Sequence, residues 1–191
     1  MNETKERIIA IATRLFTEMS YRAISFDHIA KEANVSKVTM YKYFESKDRL
    51  IEAVLRQRIA DVDQSLTAAI HGKNPGMDQV REIFNWYERW FSEPDFQGCP
   101  ILGALWEFKK EPDIARLVAQ QQDNLFERIH DTLTNVAPPS MINHLSRQFI
   151  CVINGAIIRA QAGRKGVAAE EAWECARQLI EYAVIGRSIS I

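Results

Sequence analysis

The sequence predicts an all-α protein in which three N-terminal helices precede a larger helical body. Three observations carry this. No segment alternates apolar and polar residues as a half-buried strand does, and only 8 of 191 residues are glycine. Apolar residues instead recur at helical spacing, as in Ile8, Ile11, Ala12, Leu15 and Phe16. Breakers then cut the chain into helix-length pieces: HGKNPG at 71–76, SEPDFQGCP at 92–100, Glu111–Pro112, Pro138–Pro139, and the glycines 163 and 166.

Taken in order, the first helix is expected from about Glu3 to Met19. Ser25, Ser36 and Ser46 stand before the second, third and fourth helices. Each can offer an oxygen to the free N–H groups of a first turn. Asp48 then sits where the dipole of the fourth helix favours an acid. That helix is expected over about 46–70 as the one continuous link between the two parts. Further helices are expected near 77–92, 101–110, 113–136, 140–163 and 168–187. This gives a domain at 1–47 and a second at 48–191.

Composition excludes several classes. At 47% hydrophobic residues the chain can build a core. Its longest apolar runs, such as ICVINGAII at 150–158, fall short of the ~20 residues a membrane span needs. The start, MNETKERIIA, lacks the pattern of a signal peptide, and no membrane partner is expected. Three widely spaced cysteines, Cys99, Cys151 and Cys175, form neither a disulfide framework nor a zinc pattern. A reducing cytoplasm is the expected compartment. No phosphate loop, His-Glu-x-x-His or nucleophile elbow occurs, and the four histidines are scattered, so no enzyme, catalytic residue, metal or cofactor is expected. Residues 1–58 hold 11 Lys and Arg against 8 Asp and Glu, and residues 59–191 hold 13 against 17. A basic end on an acidic body fits one end meeting a polyanion.

Residues 25–47, SFDHIAKEANVSKVTMYKYFESK, carry the most information. Two helical patterns, one on Phe26, Ile29 and Ala30 and one on Val35, Met40 and Phe44, flank a turn residue, Asn34. The polar face of the second pattern offers hydroxyls and cations, with no carboxylate before Glu45. Such a face suits phosphates and base edges. This is a helix-turn-helix, whose second helix lies in the major groove.

Residues about 5–55 resemble the DNA-binding domain of the tetracycline-repressor (TetR) family, whose pattern runs roughly T-x-x-x-I-A-x-x-A-G-V-S-x-x-T-L-Y-x-Y-F-x-S-K-x-x-L. The match lies at Ile29, Ala30, Ala33, Val35, Ser36, Thr39, Tyr41, Tyr43, Phe44, Ser46, Lys47 and Leu50. Asn34 replaces the usual turn glycine, Ser20 the glycine that ends the first helix, and Val38 a common glycine or alanine. Asn tolerates the left-handed conformation, so the turn is expected to survive. Val38 could meet a thymine methyl. With the resemblance included, Lys37, Val38 and Thr39 are expected at base edges. Tyr41, Lys42, Tyr43 and Lys47 are expected at phosphates, and Ser25 adds a contact from the second helix.

The rest of the chain resembles the family only in length and helical character. The segment 140–162 is apolar nearly all round, so a second subunit is expected to cover it. Phe149, Ile153 and Ala156, with Trp173 and Ile180 on the last helix, are the expected homodimer interface. A dense aromatic set suggests a pocket between helices. Its expected lining is Trp86, Trp90, Trp106 and Phe126, with His130, Asn154 and Arg159 as polar groups. Cys99 sits where a helix N-terminus would favour thiolate, whereas Cys151 and Cys175 read as buried and inert.

Joined together, these readings describe an N-terminal helix-turn-helix domain followed by an effector-binding and dimerisation domain. The expected function is a homodimeric repressor on a palindromic double-stranded DNA operator, released by a small apolar or aromatic effector. The alternatives are a redox- or electrophile-sensing repressor acting through Cys99, and an architectural DNA-binding protein without an effector.

Overall fold

The computed structural model describes residues 3–108 and 110–185, and among them every regular element is helical. The elements are α1 (Glu3–Glu18), α2 (Phe26–Glu32), α3 (Lys37–Tyr43), α4 (Lys47–His71), α5 (Met77–Phe91), α6 (Pro100–Glu107), α7 (Pro112–Leu133), α8 (Pro139–Arg159) and α9 (Lys165–Ile185). The all-α class holds, with the helix-turn-helix first and the larger helical part after it. No described helix is long and apolar enough to cross a membrane.

The chain forms two compact units. One comprises residues up to Asp61 with Cys99–Gln120; the other comprises Val62–Gly98 with the residues from Gln121 onward. Two of the three boundaries fall inside helices, one in α4 and one in α7. The expectation of α4 as the sole continuous link is therefore corrected, because α7 also runs from one unit into the other.

In the first unit, Ile8, Ala12, Leu15 and Phe16 of α1 meet Ile29 of α2, Met40 of α3 and Leu50 and Val54 of α4. Each fully buried aliphatic side chain contributes roughly 1.5–3 kcal/mol of transfer free energy. The apolar spacing read from the sequence is the spacing that faces this core. Ile101 and Ala104 of α6, with Phe108 and Leu117, join the same cluster.

In the second unit, α9 packs on both α5 and α8. Its inward positions are small: Ala168, Ala169, Ala172 and Ala176 are all buried. Alanines there let the helices approach closely, while Phe84, Phe91 and Phe149 supply the bulk. Between α8 and α9 the chain kinks at Ala162 and Gly163, whose backbone leaves helical values. Gly163 has φ of 89°, and nothing lies within 4 Å of where its Cβ would stand. Glycine is therefore needed there for its conformation, not for space.

Candidate nucleic-acid interface and effector region

The turn between α2 and α3 forms as its residues require. Asn34 has φ of 51°, the one positive value among described non-glycine residues, and Val35 N–H donates to Ala30 O at 3.0 Å. Ser36 then caps α3, its Oγ accepting from Thr39 N–H at 3.0 Å. Met40 and Phe44 are buried, four residues apart, and this fixes which face of α3 looks outward.

That outward face carries Lys37, Val38, Tyr41 and Lys42, all exposed. Val38 is 78% exposed and Tyr41 55%, a large apolar and aromatic area for a seven-residue helix. Tyr41 is braced edge-on against Phe26, with ring centroids 5.2 Å apart. Thr39 is half-buried and shares a hydroxyl contact with Ser36 at 2.9 Å. Tyr43 is half-buried too and packs on the core, so most of its ring is committed inward.

Two further candidates are partly engaged. Ser25 Oγ accepts from His28 N–H at 3.1 Å as the cap of α2. Lys47 Nζ reaches the carbonyl of Arg22 at 3.5 Å. Partial burial lowers the Lys47 pKa, against the opposing pull of Asp48 and Glu107.

Sequence reasoning missed what braces this region. The Glu107 carboxylate accepts from Tyr21 N–H at 3.2 Å and Arg22 N–H at 3.0 Å. The Arg22 guanidinium donates to the Glu107 carbonyl at 3.1 and 2.7 Å, and Tyr21 O–H donates to Pro100 O at 3.0 Å. Both ends of α6 thus hold the turn that leads into α2. Burial, then the charges of Cys99 and Glu107, push the Tyr21 phenol far up, so it stays a donor.

The predicted pocket residues are only partly brought together. In the second unit, Trp86 and Trp90 touch at 5.8 Å and Trp90 meets Phe96 at 5.1 Å, while Phe126 lies 6.0 Å from His130. Trp86 Nε1 donates to Ser65 at 2.9 Å, and Asn154 donates to Gln122 at 3.1 Å. Trp106 departs from the expectation: it belongs to the first unit and is 73% exposed, because the apolar face of α6 is turned by Ile101 and Ala104. Arg159 departs too, standing half exposed in an ion pair with Glu171 at 2.6 Å.

In place of Arg159, the second unit has a polar pair that the sequence did not signal. Arg128 on α7 donates to Asp63 on α4 at 2.9 Å. Arg128 Nε and Thr67 Oγ1, one turn beyond Asp63, are buried without a hydrogen-bond partner. Buried polar groups of this kind are normally satisfied. A separate groove of about 530 Å³ is lined by Met77, Val136, Ile180 and Val184; none of them is an expected pocket residue, and Ile180 is one of those expected at the interface.

The expected interface residues Phe149, Ile153, Ala156 and Ile180 are buried within the single chain, and Trp173 is half-buried against Phe84 and Arg81. Phe149, Ile153, Ala156 and Ile180 thus fill the subunit's own core. The outward faces of α8 and α9 carry other residues, among them Ile158 (60% exposed) and Tyr182 (79%). Cys151 and Cys175 also lie there, exposed, which corrects their reading as buried.

Cys99 precedes α6, with the backbone N–H groups of Leu102 and Ile101 and the charge of Arg58 favouring its thiolate. Burial outweighs them and pushes its pKa up. A thiol held protonated in this way gives the redox alternative no support. Iodoacetamide at pH 7.5 should label Cys99 far more slowly in the folded chain than in the same chain unfolded in urea. Labelling of Cys99 at least as fast in the folded chain, in a mass-spectrometric time course, would reverse this assignment.

Glu82 on α5 is buried and held by Arg89 at 2.6 Å, Asn85 at 3.2 Å and Lys73 at 3.6 Å. Burial acts to raise its pKa, but these partners hold it below the ordinary value of 4.5. A depressed carboxylate contributes stability that is present above the unfolded-state pKa and lost as pH falls through the folded one. Thermal stability should therefore decline below pH 4.5, and Glu82→Gln should flatten part of that decline. An identical acid limb in the variant would show the carboxylate is not held this way.

Comparison with known proteins is consistent with this geometry. Residues 8–54 match the family pattern of "Bacterial regulatory proteins, tetR family". Curated relatives include an uncharacterised HTH-type transcriptional regulator, YhgD, of Bacillus subtilis, 31% identical over 43% of this chain and 44% of that protein. The HTH-type transcriptional activator FasR of Mycolicibacterium smegmatis is 24% identical over 70% of this chain and 60% of its own length. The chain thus spans less than two thirds of these relatives. Among solved structures, a TetR-family transcriptional regulator from Streptomyces coelicolor superposes with a TM-score of 0.87 at 24% identity, over 95% of this chain and 96% of the other. A protein from Streptomyces avermitilis described as a TetR transcriptional regulator gives 0.81 at 28% identity, over 95% and 98%.

Proposed function

We propose that this chain, which belongs to the tetR family of bacterial regulatory proteins, is a transcriptional regulator that works as a homodimeric repressor on a palindromic operator. The observation that carries this reading is the outward face of α3. Lys37, Val38, Tyr41 and Lys42 stand together in solvent while Met40 and Phe44 anchor the helix from behind. A helix so presented enters the major groove, with Lys37, Val38 and Thr39 toward base edges and Tyr41, Lys42 and Lys47 toward phosphates. Residues 1–47 are the DNA-binding part of this reading, and 48–191 the effector-binding and dimerisation part.

The homodimer forms through the outward faces of α8 and α9, around Ile158 and Tyr182. Closed two-fold pairing gives two copies of α3, and so a palindromic site. A small apolar or aromatic effector binds in the second unit beside Trp86, Trp90 and Phe126. Arg128 and Thr67, each with a buried atom that has no hydrogen-bond partner within the chain, supply its polar anchor. The effector acts by binding better to the conformation in which the two α3 copies do not match the operator.

The test is selection of duplexes from a random library by the full chain, followed by binding across salt concentrations. A palindromic consensus is the expected outcome. Thr39→Ala should cost ~1–3 kcal/mol at one base pair and little on other duplexes. Lys42→Ala should weaken binding to every sequence and flatten the log–log salt slope by roughly 0.9. If no sequence is enriched, the regulator reading fails. A reporter assay assigns the sign, since FasR is named an activator.

A further inference from the structure

Lys37 opens the outward face of α3, yet it is not a free cation. Its Nζ lies 2.7 Å from Oδ2 of Asp27, and the two side chains are 64% and 58% exposed. Asp27 stands in the first turn of α2, directly behind the cap formed by Ser25 and His28 N–H. Capping of α2 and α3 by Ser25 and Ser36 fixes both backbones, so the pair bridges two rigid helix starts. The Asp27 hydrogen bond and charge raise the Lys37 pKa, so the lysine is fully protonated.

A lysine on its flexible four-carbon stem serves any phosphate within reach and distinguishes sequences poorly. A carboxylate beside it changes the options. Phosphate oxygens repel Asp27, whereas base edges in the major groove include donors, cytosine N4 and adenine N6, that a carboxylate can accept from. Lys37 in turn can donate to guanine O6 and N7. The pair therefore disfavours backbone contacts and favours a step that offers an acceptor next to a donor.

We propose that Asp27 is a positioning and specificity-determining residue, which holds Lys37 toward base edges and bars it from phosphate. This rests on the reading of α3 as the helix in the groove, and it adds a residue of α2 that the sequence pattern did not single out.

The experiment uses the full chain with its selected operator and a scrambled duplex, at several salt concentrations. The proteins are wild type, Asp27→Asn, Asp27→Glu, Lys37→Met and the Asp27→Asn/Lys37→Met double variant. Asp27→Asn should bind the scrambled duplex about 3- to 10-fold more tightly and steepen the log–log salt slope by about 0.9. It should also lose about tenfold in preference at one base pair. Asp27→Glu should restore the preference, since it keeps the carboxylate. In the Lys37→Met background the Asp27→Asn change should have little further effect, because the two act as a unit. An unchanged preference in Asp27→Asn overturns the proposal, and so does a full effect without Lys37. Loss of affinity for both duplexes together with a lower melting temperature would mark a structural role and also overturn it. A wild-type protein that selects no sequence would remove the groove reading itself, and this proposal with it.

Discussion

Ile158→Glu and Tyr182→Glu will each leave a folded protein that sediments as a monomer, whereas Ile153→Glu on the same α8 will leave little folded protein. The contrast follows from the two faces of one helix. Ile158 and Tyr182 are exposed in the single chain, so a carboxylate there meets water and costs the subunit almost nothing. At a two-fold interface the same carboxylate faces its own copy and apolar neighbours, and association fails. Ile153 is buried, as is Phe149 one turn before it on α8. Glutamate there places a charge without a partner in the core, a loss on the order of 4 kcal/mol or more. That is a large part of the ~5–15 kcal/mol that holds a typical domain together. The monomers should also lose operator affinity by at least about a hundredfold, because the second half-site no longer adds its contacts. Sedimentation velocity with far-ultraviolet circular dichroism separates the outcomes. Dimers that persist in both outward variants would place the interface on another surface.

This contrast also shows where sequence reading ran out. The spacing of Ile142, Leu145, Phe149 and Ile153 identifies a helix and its apolar stripe without help from the structure. It does not say whether that stripe meets the chain's own α9 or a second copy, since both environments reward the same residues. Ile150, Ile157 and Ile158 made α8 look apolar all round, and the structure resolves them into half-buried, buried and exposed positions. Local features were legible for the opposite reason. The caps Ser25, Ser36 and Ser46 and the left-handed Asn34 depend on residues within four positions. Contacts between distant segments leave no such trace. Asp63 and Arg128 are 65 positions apart, and Tyr21 and Glu107 are 86 apart. Trp106 was assigned to a pocket on composition alone, which carries no direction.

Glu107→Ala will lower the melting temperature and weaken binding to every DNA sequence alike. The carboxylate takes two backbone N–H groups, from Tyr21 and Arg22, in the turn that precedes Ser25. Removing it leaves both donors to solvent at a cost of about 1–3 kcal/mol, since hydrogen bonds to a charged group are the stronger kind. For a chain of this size that is roughly 2–12 °C in melting temperature. The Glu107 carbonyl still accepts from Arg22 in the variant, so α6 remains attached at a weaker clasp. Glu107→Gln keeps one acceptor oxygen and should fall between the two proteins. Tyr21→Phe removes the bond to Pro100 O and should cost about 1 kcal/mol by the same reasoning. The effect on DNA should be uniform, because the turn sets the position of α2 and α3 as a pair and touches no base. A loss confined to one base pair of the operator would mean that Glu107 acts on recognition directly. An unchanged melting temperature would mean that the clasp does not hold the turn.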